Sequence, residues 1–441
     1  MAHLDPSTAL LTDRYELTML DAALQDGRGA RPAIFEVFAR RLPAGRRYGV
    51  VAGTGRVLDA IRDFRFDADV LGWLDDAGVV STGTLAWLAD YRFRGDVHGY
   101  PEGEVYVPQS PVLTVTASFA EAVLLETVVL SILNHDSAIA SAASRMYAAA
   151  RGRGLFEFGG RRANEQAAVA AARAAYVAGF DGTSNLEAGR RFGLPTFGTS
   201  AHAFTLLHDT EEEAFAAQVA ALGPGTTLLV DTFDTEQGLR TALEVAGTDL
   251  GAVRIDSGDL AAEAVRARKL LDDAGATGTR IVLSGDLDEY RLAELADAPA
   301  DAFGVGTSVV TGSGAPTAGF VFKLVARADA PGAPWRPVAK AGGTKATIGG
   351  RKRAWRSVRD GVATAEVLRA WDGPPPRDPA RAVQVDVIRE GEVVHRPTIE
   401  EIRDHHRRAI AELPPEALDL TPGGPVLPTL HEETTSEGAL T

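Results

Sequence analysis

Seven short apolar runs in this chain each end in a polar or glycine turn, and the residues in those turns could do chemistry. Phe158 and Arg161 follow LFEFG, Thr183 and Ser184 close GFDGTS, and Ser200 and His202 follow PTFGTS. Asp231 sits in TLLVDTF, and Arg254, Asp256, Ser257 and Asp259 belong to AVRIDSGD. Ser284, Gly285 and Asp286 end RIVLSGD, and Gly304, Gly306 and Thr307 lie in AFGVGTS. Glycine turns offer backbone N–H groups to phosphate oxygens, while carboxylates hold ribose hydroxyls or Mg²⁺. Together the set describes a site for a phosphorylated sugar. Taken singly, an Asp or Ser after a strand is more often a helix cap, His202 more often a structural histidine, and Phe158 ordinarily core.

The elements that must position these residues read as repeated βα units. Each run is followed by a turn and mostly by an Ala-rich helical stretch, such as Leu260 to Leu271 and Asp286 to Leu295. About seven units without an obvious reversal favour a closed or nearly closed barrel over an open doubly wound sheet. Before them, Asp13 can cap a helix through Leu17, Leu20 and Leu24 that stops at Gly27, and AIFEVFARRLP alternates like a strand. Further helices are expected at Val57 to Phe64, Val70 to Asp76 and Leu85 to Tyr91, and short strands between His98 and Ser118. After about residue 326 come a linker, DAPGAPWRP, and a basic glycine-rich stretch, KAGGTKATIGGRKRAWR. VQVDVIREGEVVH reads as a hairpin turning at Glu390 and Gly391, His405 and His406 as part of an exposed charged helix, and TTSEGAL as a mobile tail. The expected architecture is α/β: an irregular (β/α) barrel over 116–330, with an accessory α+β open-faced sandwich domain built from 1–115 plus 331–441.

Composition narrows the chemistry. The 441 residues carry 45 basic and 60 acidic side chains, a net charge of −15, which argues against nucleic acid or an anionic membrane as partner. With no cysteine, disulfides, zinc-thiolate sites, iron–sulfur clusters and thiol nucleophiles are excluded. No GxxxxGK[ST], dinucleotide fingerprint or HExxH occurs. The first twenty residues hold acids and no unbroken apolar run, so a cytoplasmic protein is expected.

At these residues the chain resembles the nicotinate phosphoribosyltransferase family. TDRYELTM, FARRLP, EFGGRRA, AGFDGTSN, GTSAHAF, LLVDTFDT, VRIDSGDL and FGVGTS stand in the family's order, and TKATIGGRKRAWR looks like its lysine- and glycine-rich loop. Ala203 replaces a serine common after the histidine, and NEQAAV replaces a more usual glycine-rich continuation. The resemblance implies transfer of phosphoribosyl from 5-phosphoribosyl-1-pyrophosphate (PRPP) to nicotinate, with ATP hydrolysis coupled through phosphorylated His202. It makes Tyr15, from a neighbouring subunit, and Phe158 the two faces of a sandwich on the pyridine ring, with Arg254 beside the ring carboxylate. Arg161, Asp231, Asp256, Ser257, Gly285, Asp286, Gly306 and Thr307 become PRPP residues, and Mg²⁺ accompanies PRPP and ATP, through Asp231 where the protein contributes.

Relatives specific for nicotinamide carry aspartate where this chain has Ser184. An aspartate accepts from a carboxamide but repels a carboxylate, to which serine can donate, so nicotinate is the expected base. A homodimer with shared sites is also implied. Alternatives are a transferase acting on nicotinamide or quinolinate, and a silent barrel that binds PRPP or a nucleotide as a sensor.

Overall fold

A computed structural model describes residues 7–340 and 347–432. The tail TTSEGAL and residues 341–346 of the basic stretch lie outside the described residues. The fold is α/β and divides into two compact units, one running to Ala138 and resuming at Thr317, the other Ile139–Pro316. The boundaries therefore fall at 138 and 317 rather than at 115 and 331. Strand Phe320–Arg327 is the reason at the second: it pairs antiparallel with Pro32–Ala39, from Ala33 opposite Arg327 to Ala39 opposite Phe320.

In the first unit, a seven-stranded sheet runs in the order Arg336–Pro337, Phe320–Arg327, Pro32–Ala39, Leu113–Ser118, Asp96–Gly99, Val385–Arg389 and Glu392–Val393. Strand Pro32–Ala39 is buried on both faces after its first residue, with Phe35 stacked on Phe322 at 4.9 Å. Leu17, Leu20, Val57, Ile61 and Leu88 from the helices join Val37, Val97 and Val115 in one core. The expected helices form at Arg14–Gln25, Thr54–Arg62, Ala68–Asp76 and Thr82–Ala89. Asp13 stands at the first N-terminus without a side-chain cap bond; its Oδ2 instead accepts from Thr127 Oγ1 at 3.2 Å. The hairpin turns at Glu390 and Gly391, whose φ values of 50° and 81° are the left-handed geometry a two-residue turn requires.

Two segments of the C-terminal part gain their surroundings here, and the reading of one of them changes. The end of the basic stretch is strand Lys352–Arg359, with Lys352 and Arg356 turned inward. Lys352 Nζ pairs with Glu36 at 2.8 Å, and Arg356 with Glu366 at 2.7 Å and Glu104 at 3.4 Å. These cations neutralise buried acids within the first unit. Likewise His406 is buried on helix Ile399–Ala411, its Nδ1 3.0 Å from Gly103 O, while His405 Nε2 lies 3.1 Å from Glu104 Oε2. That pairing is invisible to local sequence because its partners lie some 300 residues away.

The second unit is built on a parallel sheet ordered Gly182–Thr183, Gly154–Glu157, Ala302–Val305, Arg280–Ser284, Ala252–Ile255 and Thr227–Leu229. Thr196 adds a parallel bridge to Thr183. All seven expected runs are thus present in cyclic order, several much shorter than their apolar strings. Among the described residues no ladder joins the Thr196 edge to Thr227–Leu229. Side-chain caps start the intervening helices: Asn164, Thr210, Asp234 and Asp259 each accept from a backbone N–H. For Asp259 the capping alternative is what the structure shows.

Candidate functional site

The carboxyl ends of the parallel strands carry the site, as the βα arrangement requires. Arg254 projects from strand Ala252–Ile255 and organises its neighbours. Its Nε donates to Ser284 Oγ at 2.9 Å, Nη2 to Asp256 Oδ1 at 3.1 Å, and Nη1 to Thr199 Oγ1 at 3.2 Å and Ser200 O at 3.4 Å. Ser284 Oγ donates in turn to Asp256 Oδ1, closing a three-residue ring. A guanidinium has five N–H donors, and these bonds leave one on Nη2. Behind the ring, Asp231 Oδ2 accepts from Asp256 N at 2.9 Å and Ser257 Oγ at 2.6 Å.

Two clefts meet at this point. A larger one of about 540 Å³ is lined by Phe158, Arg161, Ser184, Asn185, Thr199 and Arg254, among others. A smaller one of about 200 Å³ is lined by Phe158, Arg161, Arg162, Arg254, Asp256 and the turns at 284–286 and 304–307. Phe158, Arg161 and Arg254 line both. The first volume suits a flat heterocycle with room to spare, and the second is polar and walled by glycine turns.

Glycines set the depth of these clefts. Gly285 has φ +113°, and a Cβ there would lie 2.3 Å from Asp256 O, so the turn after Ser284 crosses directly over the end of the neighbouring strand. Asp286 follows at φ 45°, a left-handed geometry that aspartate tolerates better than most residues. A Cβ on Gly304 would lie 2.4 Å from Phe158 Cε2, which seats the ring on bare backbone. The Arg254 guanidinium carbon is 5.7 Å from the centre of that ring.

Charge is local rather than general. Arg161 and Arg162 are exposed at the smaller cleft, and neither guanidinium has a hydrogen bond or ion pair among the described residues. Opposite in sign, Asp231 Oδ1 and Glu211 Oε1 are buried without hydrogen-bond partners. Burial, and then the nearby Asp231 and Asp234 carboxylates, push the Glu211 carboxyl up.

Of the residues singled out from sequence, Phe158, Arg161, Ser184, Arg254, Asp256, Gly285, Asp286, Gly306 and Thr307 line the two clefts. Asp231 and Ser257 support Asp256 from behind. His202 lines neither cleft; it opens the short helix His202–Thr205, with Nδ1 3.1 Å from Thr232 Oγ1. Tyr15 belongs to the other unit, on helix Arg14–Gln25, and is 45% exposed. Its hydroxyl is pushed up to about 12 by burial and by Glu126, Glu16 and Asp13, so it stays protonated. Sequence reasoning missed Thr199 as a partner of Arg254, and it missed Glu157. The only signal for the latter was a lone acid inside the apolar run LFEFG.

Known proteins resemble this chain over most of its length. Residues 10–134 match the nicotinate phosphoribosyltransferase (NAPRTase) N-terminal domain, and residues 154–327 match the nicotinate phosphoribosyltransferase (NAPRTase) family. Nicotinate phosphoribosyltransferase pncB1 of Mycobacterium tuberculosis is 54% identical over 435 residues, covering 96% of this chain and 95% of that protein. The pncB2 protein of the same organism is 42% identical over 426 residues, covering 94% and 90%. The crystal structure of human nicotinic acid phosphoribosyltransferase superimposes with a TM-score of 0.81 at 25% identity, covering 94% of this chain and 96% of that one. With both family regions matched and the relatives aligned almost end to end, the chain belongs to the nicotinate phosphoribosyltransferase family.

Proposed function

We propose that the protein transfers phosphoribosyl from PRPP to nicotinate, forming nicotinate mononucleotide and pyrophosphate for NAD salvage, with ATP hydrolysis coupled through a phosphohistidine at His202. The observation that carries this reading is the ring Arg254–Ser284–Asp256 placed where the aromatic cleft and the glycine-walled cleft meet. The anomeric carbon and the pyridine nitrogen have to meet at such a junction.

In this reading the pyridine ring lies on Phe158, and Tyr15 of a second subunit covers its other face. The ring carboxylate takes the remaining Arg254 Nη2 N–H and the Ser184 hydroxyl. Serine there favours nicotinate over nicotinamide, because a hydroxyl donates to a carboxylate. Arg161 meets the pyrophosphate, a task for which an unpaired guanidinium fork is suited. Asp256, supported by Asp231 and Ser257, holds the ribose hydroxyls together with Asp286, and the turns at Gly285, Gly306 and Thr307 take the 5′-phosphate. The pyridine nitrogen carries no proton, so the transfer requires no base; stabilising the departing pyrophosphate is the main electrostatic task.

No group of three or more His, Cys, Asp or Glu suited to a metal occurs among the described residues. The unpartnered oxygens of Asp231 and Glu211 nevertheless fit Mg²⁺, an ion usually held by one or two carboxylates and substrate phosphates. Asp231 would hold it with PRPP, where the ion supplies neutralisation of the leaving group. His202, with Nδ1 on Thr232, keeps Nε2 available for the γ-phosphoryl group of ATP.

We read the cyclic order of the parallel strands as an irregular (β/α) barrel, and the first unit as an α+β open-faced sandwich. A homodimer with shared sites is supported by Leu186, which opens helix Leu186–Phe192, and by Leu206, Leu207 and Phe233 on turns of the second unit, all at least 62% exposed. Among the described residues no helix is long and apolar enough to cross a membrane, which is compatible with a cytoplasmic location. The reading is tested by following nicotinate mononucleotide from nicotinate, PRPP and Mg²⁺, with and without ATP. Labelled ATP should leave phosphate on His202 by intact-mass analysis. Absence of both product and phosphohistidine would favour a binding-only sensor.

A further inference from the structure

Glu157 ends strand Gly154–Glu157 and is fully buried, yet the described residues provide no cationic partner for it. Burying a carboxylate away from any counter-charge is among the costlier placements in a protein, and an apolar side chain would end the strand as well. Its hydrogen bonds show what the acid does there. One carboxylate oxygen accepts from Gly159 N, immediately after Phe158. The other accepts from Thr183 Oγ1 at 2.5 Å, and Thr183 Oγ1 accepts from Asn185 N at 2.9 Å, so Ser184 is bracketed on both sides. The backbone carbonyl of Glu157 accepts from Ser184 N at 2.9 Å, and Phe158 N donates to Val305 O at 2.8 Å. A single buried residue thus joins the turn bearing the aromatic ring to the turn bearing the hydroxyl.

We propose that Glu157, acting through Thr183, is a positioning residue that sets the spacing between Phe158 and Ser184 and so the fit of the substrate's ring and ring carboxylate. The inference rests on the reading of Phe158 and Ser184 as the residues that meet nicotinate. Glu157 touches neither substrate nor reacting atoms. A purely structural brace would change folding and every kinetic constant together, whereas a spacer acts on one substrate.

Three variants separate these cases. Glu157→Gln keeps the shape but replaces one acceptor oxygen with a donor facing the Thr183 hydroxyl. Thr183→Val removes that hydroxyl at nearly constant volume, and remains informative if the Gln variant fails to fold. Thr183→Ser restores it. Steady-state kinetics with each substrate varied should show the KM for nicotinate rising about tenfold in E157Q and T183V, with the KM for PRPP changed less than about twofold. T183S should return the nicotinate KM toward the wild-type value. The proposal is overturned if T183V leaves the nicotinate KM unchanged, or if all constants fall together with thermal stability and T183S does not rescue. Failure of the underlying reading has a different signature: Phe158→Ala and Ser184→Asp would themselves leave the nicotinate KM unchanged.

Discussion

Substituting alanine for Gly304 tests the aromatic floor of the site without altering a polar group. Gly304 is buried in strand Ala302–Val305, in register with Ser284 on one side and Phe156 on the other. Its new methyl would lie 2.4 Å from Phe158 Cε2, 2.5 Å from Cδ2 and 3.2 Å from Ser284 Cβ. Carbon atoms rest at roughly 3.5–4.0 Å, so the ring must move by about 1 Å or more. Phe158 is half-buried and faces the larger cleft, so it can turn into open space instead of forcing the sheet apart. The cost should therefore fall on ligand geometry. A displacement near 1 Å in a positioning group can lower a rate about a hundredfold, or about 2.7 kcal/mol in kcat/KM. Folding stability should change by less than about 1 kcal/mol, since the strand backbone suits alanine. The assay is steady-state kinetics with nicotinate varied at saturating PRPP and ATP, with urea unfolding in parallel. Wild-type kcat/KM for nicotinate in a normally folded G304A protein would refute the placement of the ring on Phe158. A loss confined to the KM for PRPP would refute it equally.

Further outcomes follow from the same geometry. Ser184→Asp should reverse base preference, lowering kcat/KM for nicotinate at least tenfold by like-charge repulsion while raising use of nicotinamide; competition between the two bases measures it. Verified mixed dimers of Tyr15→Ala and His202→Ala subunits should regain activity that neither homodimer has, and no recovery would count against shared sites. His202→Ala should abolish label transfer from ATP while leaving PRPP binding measurable by calorimetry. Finally, His406 is held down to about 4 by burial, against 6.5 for a free imidazole. The native state resists the proton that the unfolded chain binds, so this contribution is present above pH 6.5 and lost as pH falls toward 4. Between pH 7.5 and 5 the loss is about 2 kcal/mol. Urea midpoints at the two pH values should show it, and His406→Asn should flatten the difference.

Much of the site was legible because the chemistry lies at the ends of short apolar runs. Asp256 and Gly285 could be placed together from their positions after consecutive strands, since parallel strands bring their carboxyl ends to one edge. Glu157 was harder to find: in LFEFG it reads as an interruption, and only its bonds to Gly159 and Thr183 give it a purpose. Thr199 was unreadable for a different reason. Its partner Arg254 is 55 positions away, and no local period reports which hydroxyl a long side chain will reach. The inward turn of the basic stretch was unreadable because periodicity and charge count do not reveal orientation. Lys352 and Arg356 lie two residues apart from Ala354 on one strand face and point inward because Glu36, Glu104 and Glu366 are already buried there.

The amino-acid order alone determined the α/β alternation, the glycine turns and the kinds of groups offered at each strand end, since these depend on local conformation and composition. Tertiary structure decided which of those groups share a cleft, where the two units divide, and how many donors Arg254 has free. The physical reason is that hydrogen bonds and ion pairs between distant residues use up polar groups, and what remains for a ligand is known only once those pairings are made.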